Sequence, residues 1–443
     1  MPKYLIPKFI FKAVKNKRLN SLSFWLKIKK RFNLYWYKAF IFLSFNLKNL
    51  LNLIRLKMSF AIILSLLIAY PTLAQSYSAK SYYKFDKNDY YLLYDPDLDE
   101  ILLANNHHKR ITPSSMTKLM TAYVVFNQLA NNFIELDDLC LVGKDAWKKY
   151  GSTMLLDYGD IVKISDLIKG LLVMSGNDAA TALAQITITG GYDKFINMMN
   201  LKAMELDMIN SNFQNPHGLH QDNHYSTLMD LAILIKRLYE DFPQYGKFLR
   251  IKEFDYLGFK KENHNPLIRN NYDGILGGKT GYTSKGGYGI TTIVKRNHRK
   301  LIAVVNNVPT INKRNEMISE LLDFGFNNFK KIRFFNKDET IAYLETWPNV
   351  KEKVEVISKK NIDLNIPQNI PLEDIEVKVE YLKPLPAPII SDEKIADLNI
   401  IIKNYDSFYY PLYAKKEIKD ATFIDKVKLL LKQKDIIFKN LFN

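Results

Sequence analysis

A chain of 443 residues is long enough for two domains and a sizeable core. With 47% hydrophobic and 25% charged residues it is neither a disordered nor a polytopic membrane protein. Its net charge of +17 points to an anionic partner, and its single cysteine, Cys140, excludes an intrachain disulfide and a cysteine zinc site.

The basic excess gathers in 1–57 and after 415 rather than in one central stripe. That distribution favours a membrane surface over a nucleic-acid groove, and no nucleic-acid partner is expected. Within the basic segment 1–57, 24-FWLKIKKRFNLYWYKAFIF-42 is rich in aromatics without a clear spanning stretch. Residues 58-MSFAIILSLLIAYPTLAQ-75 read as a signal peptide: Arg55 and Lys57 precede a short apolar core, and a small-residue end follows at Ala74. A signal over 58–74 makes Met58 the expected start and 1–57 an upstream extension of the reading frame. The alternative is a cytoplasmic arm lying on the membrane.

The mature chain then mixes strand and helix patterns. The stretch 89-DYYLLYDPDLDEILLANN-106 predicts a hairpin around Asp95-Pro96-Asp97. Leu119, Ala122, Tyr123 and Phe126 follow helical spacing, as do 165-SDLIKGLLVM-174, opened by Ser165 or Asp166 as cap, and 178-DAATALAQITI-188. Further on, 288-YGITTIVKRNHRKLIAVVNN-307 reads as two strands and 315-NEMISELLDFGF-326 as a helix. The reading is α+β, with helices on an antiparallel sheet over 75–335. From 336 to 414 short alternating strands punctuated by prolines predict a small all-β domain. The tail 415–443 reads as a basic amphipathic helix: Ile424, Val427, Leu431, Ile437 (or Ile436), Phe438 and Leu441 share a face, and Lys419, Lys426, Lys428, Lys432, Lys434 and Lys439 interleave. Such a helix suits the interface of an anionic bilayer.

Chemistry gathers in three places. Ser115 stands where a helix begins, beside free backbone N–H groups, and Lys118 follows one turn on, on the same face. A hydroxyl is a poor nucleophile until something takes its proton, and a lysine takes it only when desolvation or a second cation lowers its pKa. Ser175-Gly176-Asn177 forms a polar link between two helices, with a hydroxyl to relay a proton and an amide to hold Lys118 and a substrate amide. Lys279-Thr280-Gly281 lies in a glycine-rich stretch expected shortly before a strand. Lys279 supplies the second cation, Thr280 a hydroxyl for a carboxylate, and Gly281 close approach to the backbone. Each triplet alone arises by chance; the ordered set, with Asp where this chain has Gly176, is the signature shared by class A β-lactamases and penicillin-binding proteins.

On these residues the chain resembles the low-molecular-mass penicillin-binding proteins that act as serine-type D-alanyl-D-alanine carboxypeptidases. The likeness extends through 109-KRITPSSMTKLMTAYV-124, 170-GLLVMSGNDAATALA-184, 215-NPHGL-219 with 224-HYST-227, and 273-DGILGGKTGYTSKGGY-288. The resemblance implies a β-lactamase/transpeptidase-like catalytic domain, a β-rich domain and a membrane-associating tail. It also implies cell-wall maturation at the periplasmic face of the cytoplasmic membrane, with a stem peptide ending in D-Ala-D-Ala as substrate and β-lactams as covalent inhibitors. By the same resemblance Ser115 attacks, Lys118 is the base, Ser175 passes a proton and Asn177 holds the substrate. Lys279 and Thr280 meet the carboxylate, and the N–H groups of Ser115 and Tyr282 form the oxyanion hole. Arg314 assists at the carboxylate, unless it is only a surface arginine at a helix start.

His217 and His224 are expected to be structural, Asp178 to cap a helix, and Cys140 to be a small buried residue. His107-His108 lacks a third metal ligand at useful spacing, so neither metal nor cofactor is expected. Two other readings remain. A β-lactamase needs a deacylating glutamate, and in 205-ELDMIN-210 the asparagine falls one position late. A catalytically idle peptidoglycan binder on the membrane surface need not keep all five polar residues.

Overall fold

A computed structural model of the chain describes residues 86–348, 352–429 and 431. The extension 1–57, the signal segment 58–74 and the tail beyond 431, with Ile436, Ile437, Phe438 and Leu441, lie outside the described residues.

The expected hairpin forms from β1 (Tyr90–Asp95) and β2 (Glu100–Asn105). They join β3 (Ile275–Thr283), β4 (Gly287–Arg296) and β5 (Arg299–Val308) in a sheet of order β2-β1-β5-β4-β3, antiparallel throughout. Alternate residues of these strands enter two different cores. Leu92, Tyr94, Ile302 and Val304 join one cluster, and Leu93, Leu301, Ala303 and Val305 join the other. The sheet is thus a middle layer covered on both faces, which is why its central strands read as continuous apolar runs.

One face is covered by α6 (Ile311–Asn328) through Met317, Ile318, Leu321 and Leu322. The other meets a helical cluster of α1 (Lys118–Ala130), α2 (Ile164–Leu172), α3 (Asn177–Ile186), α4 (Gly191–Glu205) and α5 (Leu228–Asp241). The sequence pattern gives α1 one apolar face, yet every residue from Lys118 to Phe126 is buried. Other helices surround α1 on all sides, so its polar residues are held inside the protein.

Two expected caps are not observed. Lys163 occupies the N-cap position of α2 without a side-chain bond, and Asp166 pairs instead with Lys169 at 2.8 Å. Gly176 precedes α3, and the Asp178 carboxylate reaches across to the amides of Met154 and Leu156, besides taking that of Ala179. A bidentate acceptor inside the fold has more to gain from two orphaned loop amides than from one helix end.

Beyond α6 the chain is β-rich. Strand β6 (Phe329–Phe335) pairs with β9 (Ile362–Pro367). A six-stranded sheet uses β7 (Thr340–Trp347), β8 (Lys353–Ile357), β10 (Ile375–Glu380), β11 (Leu385–Pro386), β12 (Lys394–Ile402) and β13 (Ser407–Ala414), in the order β10-β12-β13-β8-β7-β11. Its core holds Val354, Val356, Leu398, Ile400 and Leu412. After it, 423–429 is helical and leaves Phe423, Ile424 and Val427 exposed. No helix among the described residues is long and apolar enough to cross a membrane.

Candidate active site

Ser115 lies in a 3-10 turn, Ser114–Thr117, that leads directly into α1, so Lys118 is the first residue of the α-helix. Ser114 takes a left-handed backbone (φ 50) and its hydroxyl meets Thr283 Oγ1 at 3.0 Å, which ties the turn to β3. Gly218 closes the turn from the other side. Its φ of +83 suits glycine, and a Cβ there would collide with the Ser114 carbonyl.

The Lys118 ammonium position is fully buried and touches three oxygens. Nζ lies 3.0 Å from Ser115 Oγ, 2.7 Å from Asn177 Oδ1 and 2.6 Å from the His217 carbonyl. The Asn177 amide is oriented independently, because its Nδ2 donates to the Tyr150 carbonyl at 2.7 Å. Both Asn177 Oδ1 and the His217 carbonyl can only accept. A neutral amine has two hydrogens, and those two acceptors use both, which leaves the lone pair facing the Ser115 hydroxyl. Burial first, and then the charge of Lys279, hold the Lys118 pKa well below its usual 10.5, with Asp178 opposing.

Ser175 sits buried in a left-handed conformation (φ 57) at the turn before α3, where it lines the same cleft. Lys279, Thr280 and Gly281 lie within β3, not before a strand as the glycines suggest. Glycine weakens a strand, but β4 pairs with every one of these residues. Gly281 serves a packing need: a Cβ there would come within 2.9 Å of the Pro113 carbonyl and 3.2 Å of the Ser115 nitrogen. The missing side chain lets β3 lie against the nucleophile turn.

Lys279 is buried, donates to the Thr280 carbonyl at 3.1 Å and has its pKa pushed down to about 7 by burial and by Arg314. Arg314, the fourth residue of α6, is buried rather than a surface arginine. It donates twice to Asn315 Oδ1, and burial and then Arg269 lower its pKa to about 10.

These groups face one cleft of about 500 Å³, whose wall includes Ser115, Ser175, Asn177, Thr280, Tyr282 and Arg314. Tyr282 is half exposed and stacks on Tyr288 at 4.2 Å. Among the described residues no carboxylate lines the cleft, while Arg269, Arg314 and His264 do. Glu205 is exposed at the end of α4 and paired with Lys202 at 2.7 Å, away from the cleft wall.

His217 and His224 are buried and kept neutral, with pKa values pushed down to about 2 and about 4, chiefly by burial. His224 accepts the Gln214 amide at Nδ1, so its Nε2 carries the proton toward Thr117 Oγ1 at 2.8 Å. Cys140 is buried and its thiol is pushed up to about 11 by burial. The sequence carries no residue-type signal for the Tyr150 and His217 carbonyls, which act through backbone, nor for Arg269 on the cleft wall.

A hydroxyl opposite a buried amine whose charged form is disfavoured, beside a cationic cleft between a sheet edge and a helical cluster, suits acyl transfer through a serine. The D-alanyl-D-alanine carboxypeptidase family (peptidase S11) matches residues 81–310, and the C-terminal domain of penicillin-binding protein 5 matches 329–420. D-alanyl-D-alanine carboxypeptidase DacD of Escherichia coli (strain K12) is 30% identical over 346 residues, 76% of this chain and 88% of that protein. DacF of Bacillus subtilis (strain 168) is 29% identical, over 76% of this chain and 87% of that one. The solved structure of penicillin binding protein 5 from Haemophilus influenzae superposes with a TM-score of 0.67 at 30% identity, covering 74% of this chain and 97% of that one. The chain belongs to the D-alanyl-D-alanine carboxypeptidase family of serine peptidases.

Proposed function

We propose that this protein removes the terminal D-alanine from peptidoglycan stem pentapeptides through an acyl-enzyme on Ser115, outside the cytoplasm, in cell-wall maturation. The observation that carries the mechanism is the Lys118 amine, with both hydrogens used by Asn177 Oδ1 and the His217 carbonyl and its lone pair turned to Ser115 Oγ at 3.0 Å. Lys118 takes the hydroxyl proton as Ser115 attacks the carbonyl of the penultimate D-alanine. The backbone N–H groups of Ser115 and Tyr282 receive the oxyanion. Ser175 passes a proton to the departing D-alanine, and Lys118 then activates the water that releases the acyl group.

Lys279, Thr280 and Arg314 receive the terminal carboxylate. Lys279 and Arg314 have no acidic partner among the described residues, so an incoming carboxylate completes them. The Asn177 amide keeps one N–H and one lone pair for the substrate backbone after serving Lys118 and Tyr150. β-Lactams acylate the same serine. The tail binds the anionic membrane surface through its exposed apolar residues, Phe423, Ile424 and Val427, among lysines.

The test is incubation of the purified chain with fluorescent penicillin, with mass mapping of the adduct and assay of D-alanine release. A long-lived adduct at Ser115 and free D-alanine are expected, with labelling lost in Ser115→Ala and nearly lost in Lys118→Ala. Normal labelling in either variant sinks the assignment, and rapid drug turnover replaces it with a β-lactamase.

A further inference from the structure

We propose that the hydroxyls of Ser114 and Thr283 form a brace that sets the spacing of the oxyanion hole, a role that rests on Ser115 forming the acyl-enzyme with its own N–H and that of Tyr282 as oxyanion donors. Those two donors belong to different elements, the turn Ser114–Thr117 and the strand β3. An oxyanion gains from both only when each stands about 2.7–3.1 Å away, so turn and strand must be held in place to about 0.5 Å. Chain connectivity cannot supply this, because 169 residues separate Ser114 from Thr283.

The hydroxyl pair sits where such a tie acts most directly. Ser114 immediately precedes the nucleophile and Thr283 immediately follows Tyr282, so their 3.0 Å contact lies one residue outside each donor. Thr283 is itself anchored, since its Oγ1 accepts the Gly286 N–H at 3.0 Å in the turn that leads to β4. A hydroxyl has one proton and two lone pairs, so Thr283 keeps a donor and a lone pair for Ser114. Packing fills the rest of the seam. A Cβ at Gly281 would stand 3.1 Å from Ser114 Cβ, and one at Gly286 would stand 3.0 Å from Ser114 Oγ. Packing stops the turn and β3 from closing further, and the hydrogen bond stops them from parting.

The backbone of Ser114 is a second, independent observation. It is left-handed (φ 50) and buried. Glycine would adopt that conformation without strain. Serine adds what glycine lacks, a hydroxyl, and that hydroxyl meets Thr283. A strained backbone next to a nucleophile persists only where its surroundings hold it, and the side-chain bond is part of that hold.

Thr283 also lines the cleft and caps the turn to Gly286, so a brace must be told apart from direct contact with substrate and from turn capping. Three readouts on the full chain do so: stopped-flow acylation by fluorescent penicillin, the kcat and KM of D-alanine release, and the infrared carbonyl stretch of the acyl-enzyme. Ser114→Gly removes the hydroxyl and relieves the backbone, so its melting temperature should hold within a few degrees. Its acylation should slow at least about tenfold, where complete loss of an oxyanion donor costs about 10²–10³. The fall should appear in kcat with KM nearly unchanged, because Lys279, Thr280 and Arg314 are untouched. The acyl carbonyl stretch should move to higher frequency, because weaker hydrogen bonds leave the C=O bond stiffer.

Thr283→Val should act in the same way, and Thr283→Ser should restore the wild-type rate and frequency. The double variant Ser114→Gly/Thr283→Val should be no slower than the slower single one, since both break the same bond. Wild-type acylation in Ser114→Gly, or slowing without a carbonyl shift, overturns the brace. Additive losses overturn it too, and leave Thr283 as a direct substrate contact. The two levels of failure stay separate: a wild-type chain that takes up no penicillin at Ser115 defeats the acyl-enzyme assignment together with the brace, whereas a labelled wild type with indifferent variants defeats the brace alone.

Discussion

The cleft and the joint between the five-stranded sheet and β9 both bury charged side chains, and they treat them in opposite ways. At the joint, Asp95 is fully buried and accepts from Arg299 Nε at 3.4 Å and from Asn365 Nδ2 at 3.0 Å. Arg299 gives its Nη1 to the carbonyls of Gly325 and Phe329, and Asn365 also donates to Glu100 at 2.8 Å. In the cleft, Lys118, Lys279 and Arg314 bond only to neutral oxygens. The carboxylate that acts on Lys118, Asp178, has its oxygens engaged by amides. Compensated charge joins parts of a structure. Uncompensated charge stores unfavourable energy that a lowered amine pKa or an incoming carboxylate releases.

The largest effect that contrast predicts is at Lys118. Replacing Lys118 with Met, of similar length, should slow Ser115 acylation by about 10²–10⁴-fold, the worth of a general base. The melting temperature should hold or rise, because folding no longer has to strip the proton from a buried lysine. Stopped-flow labelling and thermal unfolding read the two together, and a variant that both acylates well and melts early would break the contrast.

Arg299→Met should do the reverse. It leaves the buried Asp95 without its cation, and breaking a buried pair in this way costs roughly 3–5 kcal/mol. Urea unfolding should show that loss, while the acylation rate of the folded fraction stays at the wild-type value. Slowed acylation would mean that the joint and the cleft are coupled.

The two regions also differ in how far they could be read from the sequence. Ser115, Lys118, Ser175, Asn177, Lys279 and Thr280 stand in short motifs whose residue types suit the proposed chemistry; Ser115, Ser175, Asn177 and Thr280 line one cleft, Lys118 bonds to Ser115 and Asn177, and Lys279 is buried within β3. The joint links Asp95 to Asn365 across 270 residues, by residue types that occur on any surface. No local pattern marks such a contact. Layering was half legible: the hairpin and the β4–β5 pair follow from alternation and turns, but whether one or both faces are covered depends on distant helices. For the same reason a single apolar stripe in α1 did not reveal its full burial. Backbone conformation was least legible, since left-handed Ser114, Leu155 and Ser175 break the usual preference for Gly or Asn.

A smaller effect concerns pH. On the proposed mechanism Lys118 must be neutral to act, so D-alanine release should already be active far below pH 10.5. Lys279→Met removes a charge that depresses Lys118, so the acid limb of kcat/KM should move to higher pH. Burial and the charge of Arg314 push the Lys279 amine itself down to about 7. Above that pH the cleft loses a cation and substrate capture should weaken. Arg314→Gln should raise the Lys279 pKa and shift this alkaline limb upward, even as it weakens carboxylate binding. A limb that does not move would show that Arg314 acts on the substrate without acting on Lys279.

The smallest effect lies at the joint, where two carboxylates share one guanidinium. Burial is the main cause that pushes the Glu100 carboxyl from its ordinary 4.5 up to about 7, against the lowering pull of the Asn365 bond. The folded chain therefore keeps a proton that the unfolded chain releases between those values. Stability from this group is full below pH 4.5 and is lost as pH rises through about 7. Glu100→Gln keeps an oxygen for Asn365 and discards the charge, so this segment of the stability profile should flatten and the melting temperature well above pH 7 should rise by a few degrees. Thermal unfolding across that range measures both. An unaltered slope would mean that Glu100 is ionised in the folded chain at no cost, and Asp95 and Glu100 together would then balance Arg299.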